Sequence, residues 1–392
     1  MIPLLVPDLP RCDDVIPWLK EIDNNRWYSN YGPLCEQFEN AIVALLKQHN
    51  PGARSEFTMV STSSGTTALE VGLGAYRLRP GTRVVLPSLT FPATATAVIR
   101  SGLIPVLADV DPDTWVLTPE IAAGVIERSG AKVVIPVAAY GQKLDERAWS
   151  DFASHYDCQV LIDSAGAFPA HVPVPDVNIA YSFHATKSLG IGEGGGLLST
   201  DRGYLQTARE LTNFGFSSGT VNTIGMNAKL SEYHAAVGLC QIQRFGAIKT
   251  RRQTLYRQLR QAINDKTSRV QYQSHSIPAS PTLFVVAVPG HAESICRQLT
   301  AEGIGVRQWY CPPLHLHPAF DSYIRNASLK FGELSVAEHL ADRLIGLPFH
   351  PSLDRGDVAR IAQALECVLQ QEEVCGSDFV ASPATGFKRQ IQ

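Results

Sequence analysis

The chain has 392 residues, enough at roughly 150 residues per domain for two or three domains, or for one large domain with a smaller one appended. With 45% apolar and 18% charged residues, 30 glycines and 25 prolines, its composition is that of a globular protein and excludes disordered, collagen-like and coiled-coil chains. The formal net charge of -3, without a long basic run, argues against a nucleic-acid partner and a membrane-surface helix.

Cysteine spacing and the first residues favour a cytoplasmic protein. The 8 cysteines include no C-x-x-C pair, so we expect reduced thiols rather than a zinc ribbon or a redox site. Residues 1–10 lack the basic and apolar stretches of a signal peptide, and no run of about 18 apolar residues occurs. We therefore predict neither secretion nor membrane insertion.

Between residues 57 and 200, short aliphatic or β-branched runs alternate with helical patterns, which is typical of βαβ units and a largely parallel sheet. The runs predict strands at Phe57–Thr62, Arg83–Leu86, Pro105–Val110, Lys132–Ala138, Gln159–Asp163, Ile179–Phe183 and Gly196–Thr200. The spacing between them predicts helices at Thr66–Leu78, Phe91–Ser101, Pro119–Arg128 and Glu146–His155. The predicted fold class is α/β.

The remaining chain reads as further helices and a smaller α+β unit. Helical segments are predicted at Gly203–Asn213 and Ser231–Phe245, followed by a basic amphipathic stretch, Ala247–Asn264, that leads into another domain. The smaller unit contains a strand and two helices at Thr282–Val288, Ala292–Glu302 and Asp357–Gln371. The predicted parts are an N-terminal segment covering the site (1–50), a large α/β domain (51–245), a small C-terminal α+β domain (246–375) and a poorly ordered tail (376–392).

A small-residue turn, Ser61-Thr-Ser-Ser-Gly-Thr-Thr-Ala-Leu69, follows the first strand and opens a helix. The free amides and the dipole of a helix N-terminus favour an anion, so the turn can hold a phosphate. It lacks the lysine of a nucleotide-triphosphate loop, and a simple helix cap would use the same residue types. The turn alone leaves both interpretations open.

Two ionisable residues follow later strands. Asp163 ends the apolar run Val160–Asp163 and is placed at the rim where open α/β sheets bind ligands, although a helix cap would also explain it. Lys187 ends Ser182-Phe-His-Ala-Thr-Lys187 after the strand at 179–183. A half-buried lysine loses its charge readily, which suits a Schiff base with an aldehyde, whereas most lysines after strands are merely solvated.

One chemistry requires these features in this order. A pyridoxal phosphate enzyme needs a phosphate cup at a helix N-terminus, a carboxylate on the pyridine nitrogen and a lysine on the aldehyde carbon. It also needs an aromatic face for the ring, which Phe91 in Pro87-Ser-Leu-Thr-Phe91 can supply. The glycines of Gly192-Glu-Gly-Gly-Gly196 allow close backbone approach to a ligand, or form a flexible turn.

These motifs resemble the DegT/DnrJ class of sugar-nucleotide aminotransferases, which have the pyridoxal phosphate fold type I. The resemblance runs from about Trp27 to His317, and several motifs follow in order: Ser64–Leu69, Pro87–Phe91, Ala108–Thr114, Tyr140-Gly-Gln142, Ser182–Lys187, Glu193-Gly-Gly195 and Pro312-Pro-Leu-His315. The subgroup that aminates C4 of dTDP-4-keto-6-deoxyglucose is the most similar, through Ser182–Lys187, Asn213–Phe216 and Gly225–Glu232. The resemblance implies a mainly parallel seven-stranded sheet with a smaller C-terminal α+β domain.

The resemblance also implies roles for individual residues. Lys187 would bind the cofactor aldehyde and transfer the proton, and Asp163 would keep the pyridine nitrogen protonated. The phosphate would contact Ser64, Gly65, Thr66 and Ser182, with Asn227 reaching it from the partner subunit of a homodimer. Substrate candidates are Asn30, Tyr31 and His315. The pair His315-x-His317 lacks a third ligand nearby, and we predict no metal.

The family pattern is broken at one position of this chain. Family members usually carry Gln or His three residues after the strand-end Asp, where it contacts the 3-oxygen of the ring, but here the residue is Gly166. Glycine cannot supply that hydrogen bond, so water or a neighbour such as Ser164 replaces it, or the ring is held more loosely. The predicted activity is ping-pong transfer of an amino group from glutamate to a keto-sugar nucleotide.

Two alternatives to transamination follow from the same residues. Related chains dehydrate sugars at C3 with histidine in place of the lysine, and Lys187 favours amination over that reaction. Gly166 also suggests a cofactor-binding regulatory protein without turnover, although the lysine and the strand-end carboxylate are both present. A different keto substrate within the same family is a further possibility that the sequence leaves open.

Overall fold

The computed structural model describes residues 1–274, 277–326 and 333–377. Its main sheet contains seven strands, each in a region where the sequence predicts one. They are β1 (Thr58–Thr62), β2 (Arg83–Pro87), β3 (Ile104–Ala108), β4 (Val133–Val134), β5 (Gln159–Asp163), β6 (Val177–Ser182) and β7 (Gly195–Ser199).

The strand order of this sheet is β1-β7-β6-β5-β4-β2-β3. The strands from β6 through β5, β4 and β2 to β3 pair in parallel, whereas β7 is antiparallel to both of its neighbours, β1 and β6. The predicted mainly parallel seven-stranded sheet is therefore confirmed. Strand β4 is shorter than the prediction of 132–138, because Pro136 has no amide hydrogen to continue the ladder.

The described part of the chain also contains four short strands and twelve α-helices. Two short antiparallel sheets pair β8 (Phe216–Ser217) with β9 (Thr220–Val221), and β10 (Phe284–Ala287) with β11 (Leu344–Leu347). The helices are α1 (Cys12–Asn25), α2 (Pro33–His49), α3 (Gly65–Ala75), α4 (Pro92–Arg100), α5 (Pro119–Ser129), α6 (Glu146–Tyr156), α7 (Arg202–Thr212), α8 (Glu232–Asn264), α9 (Ala292–Ala301), α10 (Pro318–Asn326), α11 (Ser335–Ala341) and α12 (Arg355–Ser377).

Helices cover both faces of the sheet, which explains why its strands are apolar without alternation. On one face, α3, α4 and α7 bury a core that includes Leu69, Val98 and Leu205. On the other face, α2, α5, α6 and α8 bury a core that includes Phe38 and Trp149. The strand ends are therefore the part of the sheet that remains open to a ligand.

The small C-terminal unit has a core of its own. The β10–β11 ladder packs with α9, α12 and the second half of α8 around residues such as Phe284, Ile295 and Leu365. Ile2 joins this core and pairs with Ile304, so the first residues of the chain belong to the same unit. By contrast, Leu314 and Phe320 pack against the large domain. The predicted domain boundaries themselves stay a prediction.

The long helix α8 differs from the sequence expectation. Two separate segments were expected, at 231–245 and 247–264, but the helix is continuous through Gly246. A glycine inside a helix costs only about 1 kcal/mol relative to alanine, and the buried side chains of Phe245 and Ile248 on either side outweigh that cost. Of the predicted tail, residues 378–392 lie outside the described residues. No helix within the described ranges is long and apolar enough to cross a membrane.

Candidate active site

The candidate residues converge because β1, β5 and β6 end, and β7 begins, at the same edge of the sheet. Gly195, the first residue of β7, lies opposite Thr62 at the end of β1 and opposite Ser182 at the end of β6. Asp163 ends β5, which pairs in parallel with β6. This register places the turn after β1, the loop after β6 and the Asp163 carboxylate along one edge of the sheet.

The turn after β1 forms a tight cradle at the N-terminus of α3. Ser64 caps the helix through a reciprocal pair of hydrogen bonds: the Thr67 amide donates to Ser64 Oγ at 3.1 Å, and the Ser64 amide donates to Thr67 Oγ1 at 2.9 Å. The amides of Gly65 and Thr66 precede the first intrahelical donor, Ala68, whose amide donates to the Ser64 carbonyl. These amides are available to an anion at the positive end of the helix dipole.

Gly65 lies so close to the end of β6 that no side chain fits there. A Cβ atom on Gly65 would lie 2.7 Å from Cβ of Ser182 and 3.2 Å from its Oγ. This close approach places the Ser182 hydroxyl beside the amides of the α3 N-terminus. The structure thus brings together Ser64, Gly65, Thr66 and Ser182, the predicted phosphate residues.

Asp163 is a buried carboxylate with two hydrogen bonds. Oγ1 of Thr94 donates to Oδ2 at 2.9 Å and the Ala165 amide donates to Oδ1 at 3.1 Å. Burial raises the pKa of Asp163, while these two hydrogen bonds and the charge of Lys187 act in the opposite direction. A carboxylate in this position is suited to holding a cationic ring nitrogen, because such a partner offsets the cost of burying the charge.

Lys187 lies in a loop that folds back on itself after β6. The amide of Ala185 donates to the carbonyl of Gly192, and the amide of Lys187 donates to the carbonyl of His184. Gly190 is required in this loop because a Cβ there would lie 2.4 Å from the Ala185 carbonyl oxygen. Burial lowers the pKa of the Lys187 amine, and the negative charge of Asp163 partly opposes that effect. A larger neutral fraction makes the amine a better nucleophile toward an aldehyde.

Phe91 and two further aromatic residues border the site. Phe91 precedes α4 with a half-exposed ring, and Tyr310 meets it edge-on with ring centroids 6.5 Å apart. Tyr310 in turn stacks on Tyr140, with centroids 4.8 Å apart. Only Phe91 was expected from the sequence. Tyr140 belongs to the motif Tyr140-Gly-Gln142 and Tyr310 lies two residues before Pro312-Pro-Leu-His315, but their contact joins distant parts of the chain and no local signal predicts it.

The other predicted residues have defined surroundings. Asn227 is exposed and forms an isolated bridge with Asn213, while the neighbouring Ala228 carbonyl accepts from the Ser63 amide next to the cradle. The Tyr31 hydroxyl bonds to Thr212 and its ring lies 4.3 Å from the Arg209 guanidinium carbon. Asn30 is exposed with a φ of 62°. His315 Nε2 lies 2.8 Å from the Glu338 carboxylate. Roles of these residues in binding stay predictions.

Gly166 provides no side chain to the site, and the Ser164 hydroxyl does not take its place. A Cβ on Gly166 would meet only ordinary contacts, at 3.5 Å from the Ala138 carbonyl oxygen and 3.6 Å from the Gly141 nitrogen. The Ser164 hydroxyl is fully buried and lies 2.7 Å from Nδ1 of His171. Because Nε2 of His171 accepts from the Leu144 amide, Nδ1 carries the proton and donates to Ser164. Ser164 is therefore engaged in the core rather than at the site.

These features fit the cofactor that the sequence suggested. The cradle offers free amides to a phosphate, the buried Asp163 carboxylate would be stabilised by a cationic partner, and burial lowers the pKa of the Lys187 amine, which interacts with Asp163. The fold and the site together define a pyridoxal phosphate-dependent aminotransferase of fold type I.

Comparison with known proteins gives the family. Residues 13–366 match the model of the DegT/DnrJ/EryC1/StrS aminotransferase family, and the chain belongs to that family. Protein Rv3402c of Mycobacterium tuberculosis is 28% identical over 96% of this chain and 91% of its own length. The dTDP-4-amino-4,6-dideoxy-D-glucose transaminase of Shigella dysenteriae is 27% identical over 88% of this chain and 93% of its own length.

Solved structures agree with this assignment. DesI, crystallised in the presence of its TDP-sugar product, is 28% identical with a TM-score of 0.82, covering 96% of each chain. A putative pyridoxal phosphate-dependent aminotransferase from Bacillus cereus is 26% identical with a TM-score of 0.83, covering 93% of this chain and 99% of its own. Pyridoxal 5′-phosphate is the cofactor of this family, and the residues described above fit it.

Proposed function

We propose that this enzyme moves an amino group from glutamate to a keto-sugar nucleotide, with a 4-keto-6-deoxy sugar on dTDP as the preferred acceptor. The observation that carries the proposal is the interacting pair of the half-buried Lys187 and the buried Asp163, on one edge of the sheet beside the cradle at Gly65. The choice of acceptor is supported by the similarity to the Shigella dTDP-4-amino-4,6-dideoxy-D-glucose transaminase and to DesI, which was crystallised in the presence of its TDP-sugar product.

Each residue has a chemical task in this proposal. When bound, the cofactor supplies an aldehyde and a ring that accepts electrons from the substrate carbon. Lys187 would hold the cofactor aldehyde carbon through its neutral amine, with loss of water, and would then carry the proton between carbon atoms as general acid and base. Asp163 keeps the ring nitrogen protonated. The amides of Gly65 and Thr66, with the hydroxyls of Ser64 and Ser182, hold the phosphate.

The first experiment uses glutamate alone. The purified holoenzyme should convert glutamate to 2-oxoglutarate in a single turnover, with loss of the visible absorption band of the lysine-bound cofactor. Lys187→Ala should lack that band, whereas Lys132→Ala, at an exposed lysine paired with Asp157, should behave as the unsubstituted enzyme. A dehydratase or a regulatory protein without turnover would yield no 2-oxoglutarate, and that result would contradict transamination.

The second experiment identifies the acceptor. The glutamate-loaded enzyme is mixed with a panel of 4-keto and 3-keto sugar nucleotides on dTDP and on other carriers, and amino-sugar formation is followed by mass spectrometry. Amination of a 3-keto sugar alone, or of a sugar on another carrier alone, would contradict the proposed acceptor while leaving the aminotransferase assignment intact.

We also propose that the active unit is a cytoplasmic homodimer in which Asn227 contacts the cofactor phosphate of the partner subunit. The exposure of Asn227, next to the backbone that contacts the cradle, supports this arrangement. Mixing inactive Lys187→Ala and Asn227→Ala proteins should restore activity, because a mixed dimer contains one site with both residues intact. No recovery from subunits shown to exchange would contradict the trans role.

A further inference from the structure

A row of aromatic side chains runs from the site rim into the large domain. Phe91 at the rim contacts Tyr310, which stacks on Tyr140, and the Tyr140 ring meets Trp115 edge-on at 6.0 Å. Trp115 and Tyr140 are buried, Tyr310 is half-buried and Phe91 is exposed. Tyr310 is thus the member of the row that lies between the open rim and the core.

Three members of this row have left-handed backbone conformations. The φ angles are 58° at Trp115, 57° at Tyr140 and 63° at Tyr310. This conformation is unfavourable for bulky side chains and persists where the surrounding structure holds it, often at functional sites. Here the Tyr140 hydroxyl donates to the carbonyl oxygen of Trp309 at 3.1 Å, which fixes the backbone immediately before Tyr310.

The row passes beside the glycine that departs from the family pattern. Tyr140 is followed by Gly141, and a Cβ on Gly141 would lie 3.3 Å from the carbonyl oxygen of Gly166. Neither Gly166 nor the neighbouring Ser164 offers a side-chain donor to the site, because Ser164 is bonded to His171 in the core. A side-chain donor for this part of the site would therefore have to come from another segment.

The Tyr310 hydroxyl is such a donor. It makes no hydrogen bond to any residue that the structure describes, and burial together with the charge of Asp163 raises its pKa above the usual value of a tyrosine. A phenol with a raised pKa keeps its proton more firmly than an ordinary tyrosine, so its O–H is available as a donor. Tyr310 contacts Phe91 at the rim on one side and, on the other, Tyr140, whose neighbour Gly141 approaches Gly166.

We propose that Tyr310 supplies the hydrogen bond to the 3-oxygen of the cofactor ring that Gly166 cannot supply, and that Tyr140 is a positioning residue for Tyr310. This inference rests on the cofactor assignment and is independent of which amino donor and keto sugar the enzyme uses. Both tyrosines have a left-handed backbone conformation where Tyr310, from the C-terminal part of the chain, stacks on Tyr140.

The test is a pH titration of the visible absorption band of the holoenzyme, without substrate. A donor to the ring oxygen stabilises the form of the cofactor that dominates at high pH, so Tyr310→Phe should raise the transition pH by about one unit. Tyr140→Phe should raise it by less. Tyr272→Phe is a matched control, because that hydroxyl bonds to Asn264 in the small domain and its loss should leave the transition unchanged.

A rescue variant separates a hydrogen bond from a packing effect. A Cβ at Gly166 would meet only ordinary contacts and the backbone φ there is not left-handed, so Gly166→Gln in the Tyr310→Phe background should return the transition pH toward the original value. An unchanged transition in Tyr310→Phe overturns the proposal, as does a raised transition that Gly166→Gln does not lower. Because no substrate is present, an error in the keto-sugar assignment leaves this result unaffected. The absence of any visible band in the unsubstituted protein would overturn the cofactor assignment and this proposal together.

Discussion

The cradle at Gly65 allows a quantitative prediction for Gly65→Ala. The added Cβ would lie 2.7 Å from Cβ of Ser182, about 1 Å short of an ordinary carbon contact of roughly 3.5–4.0 Å. Ser182 is fixed by its ladder with Gly195, so the N-terminus of α3 must move instead. Overpacking of this kind costs about 1–3 kcal/mol, and movement of the free amides should lower cofactor affinity by about 10- to 100-fold.

The assay is a titration of cofactor-free Gly65→Ala protein with pyridoxal 5′-phosphate, followed by visible absorption. Gly246→Ala is the matched control, because a Cβ there meets nothing within 4 Å and the site is remote. That substitution lies inside α8 and should stabilise the protein by roughly 0.5–1 kcal/mol without changing cofactor affinity. Cofactor binding by Gly65→Ala as tight as that of the control would refute the proposed cradle.

Three further outcomes follow from the site. Asp163→Asn should retain the fold but lower the rate of reaction with glutamate by at least about 100-fold in single-turnover mixing, because an amide lacks the charge that holds the ring proton. Full activity of this variant would exclude the carboxylate from that role. The rate of cofactor attachment to the apoprotein should fall as the pH drops through the lowered pKa of Lys187, because only the neutral amine attacks the aldehyde. A stopped-flow plot of this rate against pH with its midpoint at the ordinary pKa of lysine would contradict the effect of burial on Lys187. Glu232→Ala should lower the free energy of unfolding by about 2–6 kcal/mol in a denaturant titration. The substitution removes the carboxylate that accepts from the buried amides of Leu34, at 2.8 Å, and Cys35, at 2.9 Å. An unchanged unfolding midpoint would show that water replaces the carboxylate.

Much of the fold and of the reactive pair could be predicted from local sequence. The strand end at Asp163 follows from an apolar run that stops at a polar residue, and the strand predicted at 179–183 stops one residue beyond the observed end at Ser182. The parallel topology then brings such ends to one edge. The anion site at Gly65 follows equally from a small-residue turn that opens a helix. These signals are short-range, and the physical rule that converts them into a location is the same for every open α/β sheet.

The features that sequence reasoning missed depend on long-range contacts. Tyr140 and Trp309 are 169 positions apart, and nothing in either segment indicates that a hydrogen bond joins them. Positive φ at Tyr140 and Tyr310 has no compositional signal either, because glycine or asparagine is the usual mark of that conformation. The continuity of α8 was also missed: two separate segments were expected, divided between residues 245 and 247, whereas the buried side chains of Phe245 and Ile248 keep the helix intact through Gly246.

Helix α8 limits how the two parts of the enzyme can move. With 33 residues it extends for about 50 Å, packing first against α2 and then against α12. An unbroken helix of this length is stiff, so any rotation of the small domain must move the helix as well or occur about a hinge in another connection. The first residues of the chain pack at the far end of this helix, and Asp8 bonds to Gln241 and Arg244 nearer its start. The amino-terminal segment is therefore tied to α8 at two points and would follow the helix in any such movement.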